Sequence, residues 1–65
     1  MVERIKTLCI EHGTNFKQLE EKLGLANGSI ARWDGSSPSA EKVLRVADFF
    51  NVSCDYIIRG GSRSA

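Results

Sequence analysis

The sequence predicts an all-α domain, and three observations carry that expectation. Apolar residues recur three or four positions apart along most of the chain, the period of a helix with one buried side. Good N-capping residues precede most of these segments, and glycine or proline follows them. No stretch alternates apolar and polar residues over the length a strand needs. The chain has 65 residues, enough for one small domain near the lower limit for folding alone.

The first helix is expected at about residues 2–12. Val2, Ile5, Leu8 and Cys9 share one side, and Gly13 can adopt the left-handed conformation that ends a helix. The second spans about 16–23. Asn15 is a good N-cap with Gln18 three residues later, the pattern of a capping box. Phe16, Leu19 and Leu23 repeat on one side, and Gly24 closes the segment.

The stretch "GLANGSIARWDG" poses a choice. Asn27-Gly28 is a strong hairpin signal, but neither flank alternates. Leu19 and Leu23 are four apart on the left, and Ile30 and Trp33 three apart on the right. A third helix is therefore expected, capped by Asn27 or Ala26, with Gly28 in its first turn and Gly35 at its end. Its joint to the second helix is a turn of about four residues around Gly24, a helix-turn-helix arrangement. Pro38 interrupts the helix at Ser37, and Ser39 can cap a fourth helix at about 39–50. Val43, Leu44, Val46, Ala47 and Phe50 form its apolar stripe. Ser53 caps a short fifth helix, "CDYIIR", with Asp55 near its positive end. Gly60-Gly61 stops it. The domain is thus 1–60, and "GGSRSA" (61–65) reads as a flexible tail or the start of a linker.

Composition narrows function by exclusion. No apolar run is long enough to cross a bilayer, and "MVERIKTLC" is not a secretory signal, so a cytoplasmic protein is expected. The two cysteines, Cys9 and Cys54, lie within apolar patterns and read as buried thiols. Cys9 and His12 are one helical turn apart, but no second pair has metal-site spacing, so no metal is expected. With one histidine, no nucleophile–base spacing and no glycine-rich phosphate loop, the chain is not expected to be an enzyme. No cofactor or small-molecule ligand is evident. The net charge is +1, so the distribution of charge matters more than its sum. From Lys22 through Trp33 the only charged residues are Lys22 and Arg32.

"FKQLEEKLGLANGSIARWDGSSPSAEKVLRVADFFNVSCDYII" resembles the Cro and repressor type of helix-turn-helix domain (lambda-repressor-like, XRE family) of phage and bacterial regulators. The resemblance covers about residues 3–60. It rests on Leu19, Leu23, Gly24, Leu25, Ile30 and Trp33, then on Pro38, "LRVADFFNVS" and "DYII". It implies a compact five-helix fold whose second and third helices form the DNA-reading unit. Four positions depart from the family's habit, one of them Trp33, which is larger than the usual aliphatic residue. Glu20 stands where alanine is frequent, and must lie at the edge or find a partner. Phe16 replaces a frequent phosphate-touching glutamine. Ala26 replaces a frequent Ser or Thr cap.

The implied chemistry is major-groove recognition, in which the reading helix enters N-terminus first. By family position the base-reading residues are Asn27, Gly28 and Arg32, with Ser29 at a base edge or a phosphate. Asn pairs with adenine, and Arg with guanine. Gly28 lets the backbone approach. The starts of the second and fourth helices can hold flanking phosphates. Asn15, Phe16, Lys17, Ser36, Ser37, Ser39 and Lys42 are the candidates, Phe16 by apolar contact with DNA if it is not core. Each has a plainer rival: Asn27 as a cap, Arg32 as a partner of Asp34, and the lysines as solvated surface.

The expected function is sequence-specific double-stranded DNA binding by a phage or bacterial transcriptional regulator, a repressor first of all. It would act as a homodimer on two-fold related half-sites about 34 Å apart, with Ile57, Ile58 and Arg59 a first guess for self-contact. The alternative is a protein-interaction module on the same fold, antitoxin-like or a phage-switch partner.

Overall fold

The computed structural model describes residues 1–64. Its helices are α1 (Val2–Glu11), α2 (Phe16–Leu23), α3 (Ala40–Phe50) and α4 (Cys54–Arg59), with a single 3-10 turn at Ile30–Arg32 between α2 and α3. Among the described residues there is no strand, only an isolated antiparallel bridge between Val52 and Ser64.

The all-α expectation holds, but the described residues form four α-helices rather than five. The third expected helix is a turn at Asn27–Ser29 followed by the 3-10 turn. The backbone at Gly28 explains this: its φ is 77°, outside the right-handed helical region. Ser29 N–H donates to the Ala26 carbonyl at 3.1 Å. Gly28 is thus the third residue of a reverse turn, where a type II geometry requires positive φ. Asn-Gly does mark a turn, although no hairpin surrounds it.

The other ends follow local chemistry. The Asn15 side chain accepts from Gln18 N–H at 2.9 Å. The expected capping box is only half made, because Gln18 Oε1 accepts from the Thr14 hydroxyl at 3.0 Å instead of turning back to Asn15. Gly24 ends α2 in the left-handed conformation. Ser39 and Ser53 cap α3 and α4 through their side chains. Asn51, a non-glycine residue at φ 57°, ends α3.

Ile5, Leu8, Leu19, Ile30, Val46 and Ile57 are fully buried, and Trp33 and Phe50 close the core around them. α1 packs on α2 and α4, α3 packs on α4, and the 3-10 turn packs on α2. Leu44, expected in the stripe of the fourth helix, instead faces solvent, whereas Val43, Val46, Ala47 and Phe50 are buried. The buried arc of α3 is taken up by those four residues, and Leu44 falls outside it. Ile57 is likewise buried, so of the two isoleucines offered for self-contact only Ile58 is exposed.

Residues 61–64 lie back along the domain. Ser53 N–H donates to the Arg63 carbonyl at 3.2 Å, and the Ser53 hydroxyl donates to the Ser62 carbonyl. Arg63 pairs with Glu11 of α1 and lies over the Tyr56 ring.

Candidate nucleic-acid interface

A cleft of about 370 Å³ opens beside the 3-10 turn, lined by Ser29, Arg32, Trp33, Ser36, Ser37, Pro38, Ser39 and Lys42. Six of these are residues expected at DNA: Ser29, Arg32, Ser36, Ser37, Ser39 and Lys42. They converge because the loop from Trp33 to Ser39 folds the end of the 3-10 turn toward the start of α3. The loop is held by Gly35 and Ser36 N–H groups donating to the Arg32 carbonyl at 3.1 and 2.8 Å. Trp33 is buried and supplies the floor.

The cleft is lined by two cations and the hydroxyls of Ser36, Ser37 and Ser39, with no carboxylate among the lining residues. Arg32 and Lys42 are exposed, and neither forms a salt bridge among the described residues. Asp34, the neighbour that could have neutralised Arg32, goes elsewhere. Its Oδ1 accepts from the Met1 ammonium at 3.3 Å and from Val2 N–H at 3.4 Å, at the start of α1. Ser39 Oγ accepts from Lys42 N–H at 3.4 Å, which leaves its O–H free to donate outward. The first N–H groups of a helix have no partner within the helix and favour an anion. This end of α3 therefore adds to the positive side of the cleft, while Glu41 in its first turn opposes it.

Asn15, Phe16 and Lys17 fall in a second groove, of about 500 Å³, between α1 and the start of α2. Lys6, Cys9, Ile10 and Thr14 complete its lining. Phe16 is half-buried and packs against the core. Asn15 spends its Oδ1 on the cap, and Lys17 is exposed. Burial pushes the Cys9 thiol above its ordinary value of 9.0. The groove is thus mostly apolar, with lysines at its edge.

Asn27 and Gly28 line neither depression; they sit exposed on the turn. Ser29 is half-buried, and its Oγ is enclosed without a hydrogen-bond partner among the described residues. The turn itself is held from below by Glu20, whose side chain is buried (2% exposed). Glu20 Oε1 accepts from Gly28 N–H at 3.0 Å, and Oε2 accepts from Ile30 N–H at 3.1 Å. Sequence reasoning offered Glu20 an edge or a partner; the structure gives it two N–H partners, at the start of the 3-10 turn. The signal that could have found it was a carboxylate at a core position beside a turn rich in free N–H groups. The Asp34 cap on α1 left no comparable signal.

No family model matches the chain, and no solved structure matches it. Among curated proteins, it is 33% identical over 58 residues to YobD of Bacillus subtilis (strain 168), an uncharacterized HTH-type transcriptional regulator. The match covers 86% of this chain and 52% of that protein, so the chain spans about half the length of the curated relative it matches. The similarity is thus to a helix-turn-helix regulator. No helix among the described residues is long and apolar enough to cross a membrane.

Proposed function

We propose that this chain is a sequence-specific double-stranded DNA-binding unit of a transcriptional regulator of the Cro and repressor type. The reading segment is the turn Asn27–Ser29 with the 3-10 turn behind it. Asn27 and Arg32 reach base edges, Gly28 allows close approach, and Ser29 stands between them. Ser36, Ser37, Ser39 and Lys42 hold phosphate on one flank, and Asn15, Phe16 and Lys17 lie against the backbone on the other. The single observation that carries this reading is the carboxylate-free cleft that joins Arg32 to Lys42 through serine hydroxyls. It offers charge-assisted hydrogen bonds to phosphate. The similarity to an HTH-type regulator supports it.

Two copies on two-fold related half-sites complete the proposal, with repression the expected outcome, in a bacterial or phage setting and in the cytoplasm. The chain performs no catalysis in this reading and uses no cofactor, metal or small ligand. A protein-binding module is the second reading, and one observation bears on it. Exposed apolar side chains are present, but Ile10, Leu44, Phe49 and Ile58 all lie outside the reading segment. A helix docking in a partner's groove needs such anchors on its own face.

The test is titration against random duplex DNA at two salt concentrations, followed by selection from a random duplex pool. DNA binding weakens steeply with salt, with a log–log slope of about −0.9 per phosphate neutralised. Selected sites should show two-fold symmetry. No retention of any duplex at low salt would overturn the reading.

A further inference from the structure

We infer that Glu20 is the positioning residue of the reading turn, an inference that rests on the DNA-binding function proposed above. Its carboxylate is buried, yet no side-chain cation among the described residues pairs with it. It is bound instead by the Gly28 and Ile30 N–H groups, one from each oxygen, at 3.0 and 3.1 Å. These bonds bracket Ser29, so the turn is tied at Gly28 and again at Ile30, the first residue of the 3-10 turn that follows. A buried carboxylate is costly unless hydrogen-bonded, and a two-pronged acceptor accommodates only one arrangement of the two donors. Glu20 therefore stabilises the turn in which Gly28 keeps its positive φ, against the regular helix the same residues would otherwise extend.

A second consequence follows for recognition. N–H groups at the start of a helical segment are a ready site for an anion. Here the chain's own carboxylate fills that site. A DNA phosphate cannot use the Gly28 and Ile30 N–H groups, and it meets a negative charge if it approaches them. This segment must therefore contact DNA through the side chains of Asn27 and Arg32, aimed by a backbone that Glu20 fixes. Hydrogen bonds to base edges weaken steeply as geometry degrades, so loosening the turn removes discrimination before it removes attraction to phosphate.

The test compares the full chain with Glu20→Gln and Glu20→Ala. Glutamine keeps the volume but can accept from only one of the two donors, since its amide nitrogen faces the other. Fold is checked by circular dichroism and melting temperature, and measurements are made where each protein is folded. The duplex selected by the unmodified chain and a random duplex are titrated side by side across salt. Affinity for the selected duplex should fall about tenfold or more, because only molecules with the turn in its reading geometry make the base contacts. Random-duplex affinity and its salt slope should stay near the unmodified values. A variant that keeps the full preference, or loses both affinities in proportion, overturns the inference while the DNA-binding function stands. An unmodified chain that binds no duplex at all overturns that function first. Amide exchange in the unmodified chain is an independent arm: Gly28 and Ile30 should be protected relative to Asn27, and equal rates would overturn the assignment even if neither variant folds.

Discussion

Glu20 and Asp34 each bring a carboxylate to the start of a helical segment other than their own, but burial separates their importance. Glu20 is 2% exposed, whereas the Asp34 side chain is 61% exposed. Solvent screens an exposed ion pair heavily. Asp34→Ala should therefore change stability by no more than about 0.5 kcal/mol in urea unfolding. Arg32 is the residue whose removal speaks most directly about recognition. Arg32→Ala should relax preference at one base position by about 1–3 kcal/mol if it reads guanine, measured by competition among single-base variants of the selected site. Equal loss on every sequence would make it a phosphate contact instead. At Cys9, burial holds the thiol protonated to higher pH than in the unfolded chain. Above about pH 9.0 the unfolded chain has released this proton and the fold has not, so stability falls as pH rises there. The alkaline loss should be smaller in Cys9→Ala than in the unmodified chain when both are followed by urea midpoints. At neutral pH, half-buried Cys54 should react with a thiol reagent ahead of buried Cys9.

At the scale of the element, three helices are started by a side chain of their own neighbourhood: Asn15 for α2, Ser39 for α3 and Ser53 for α4. Replacing such a cap by alanine costs about 1 kcal/mol. Ser53 carries more than a cap, because its hydroxyl also donates to the returning tail at Ser62. Ser53→Ala should thus cost more than Ser39→Ala in the same denaturant series, and equal costs would detach the tail from the stability of α4. The turn at Gly28 has a different sensitivity. A Cβ added there meets nothing within 4 Å, so the cost of Gly28→Ala is conformational alone, about 1–2 kcal/mol.

For the whole molecule, size sets the margin. A 65-residue domain has a total stability of about 3–10 kcal/mol at typical values per residue. Leu19 is fully buried where α2 meets the core. Leu19→Ala should cost about 2–5 kcal/mol, enough to unfold a substantial fraction at 37 °C, read by circular dichroism. The Arg63–Glu11 pair joins the end of the described chain to α1 but is about half exposed on both sides. Arg63→Ala should leave the melting temperature nearly unchanged, as surface pairs contribute little.

Much of this was legible in the chain itself. Helix positions at residues 2–11, 16–23, 40–50 and 54–59 follow from apolar period and caps, which are local properties. So does the choice of Leu19, Ile30, Trp33 and Phe50 as core. The residues around the cleft were also visible as candidates, Ser29 and Arg32 within an acid-poor stretch, and Ser36, Ser37, Ser39 and Lys42 at the start of the following helix. Other features depended on contacts between distant segments. A buried carboxylate held by two N–H groups, together with a glycine free to take positive φ, outweighed the helical period of Ile30 and Trp33. The turn of Asn27–Ser29 was therefore decided by packing. The same holds for Asp34 at the start of α1 and for the exposure of Leu44 and Ile58. Local spacing states which side of a segment is apolar, but only the assembled neighbours determine how much of that side is covered and which N–H groups remain to be satisfied.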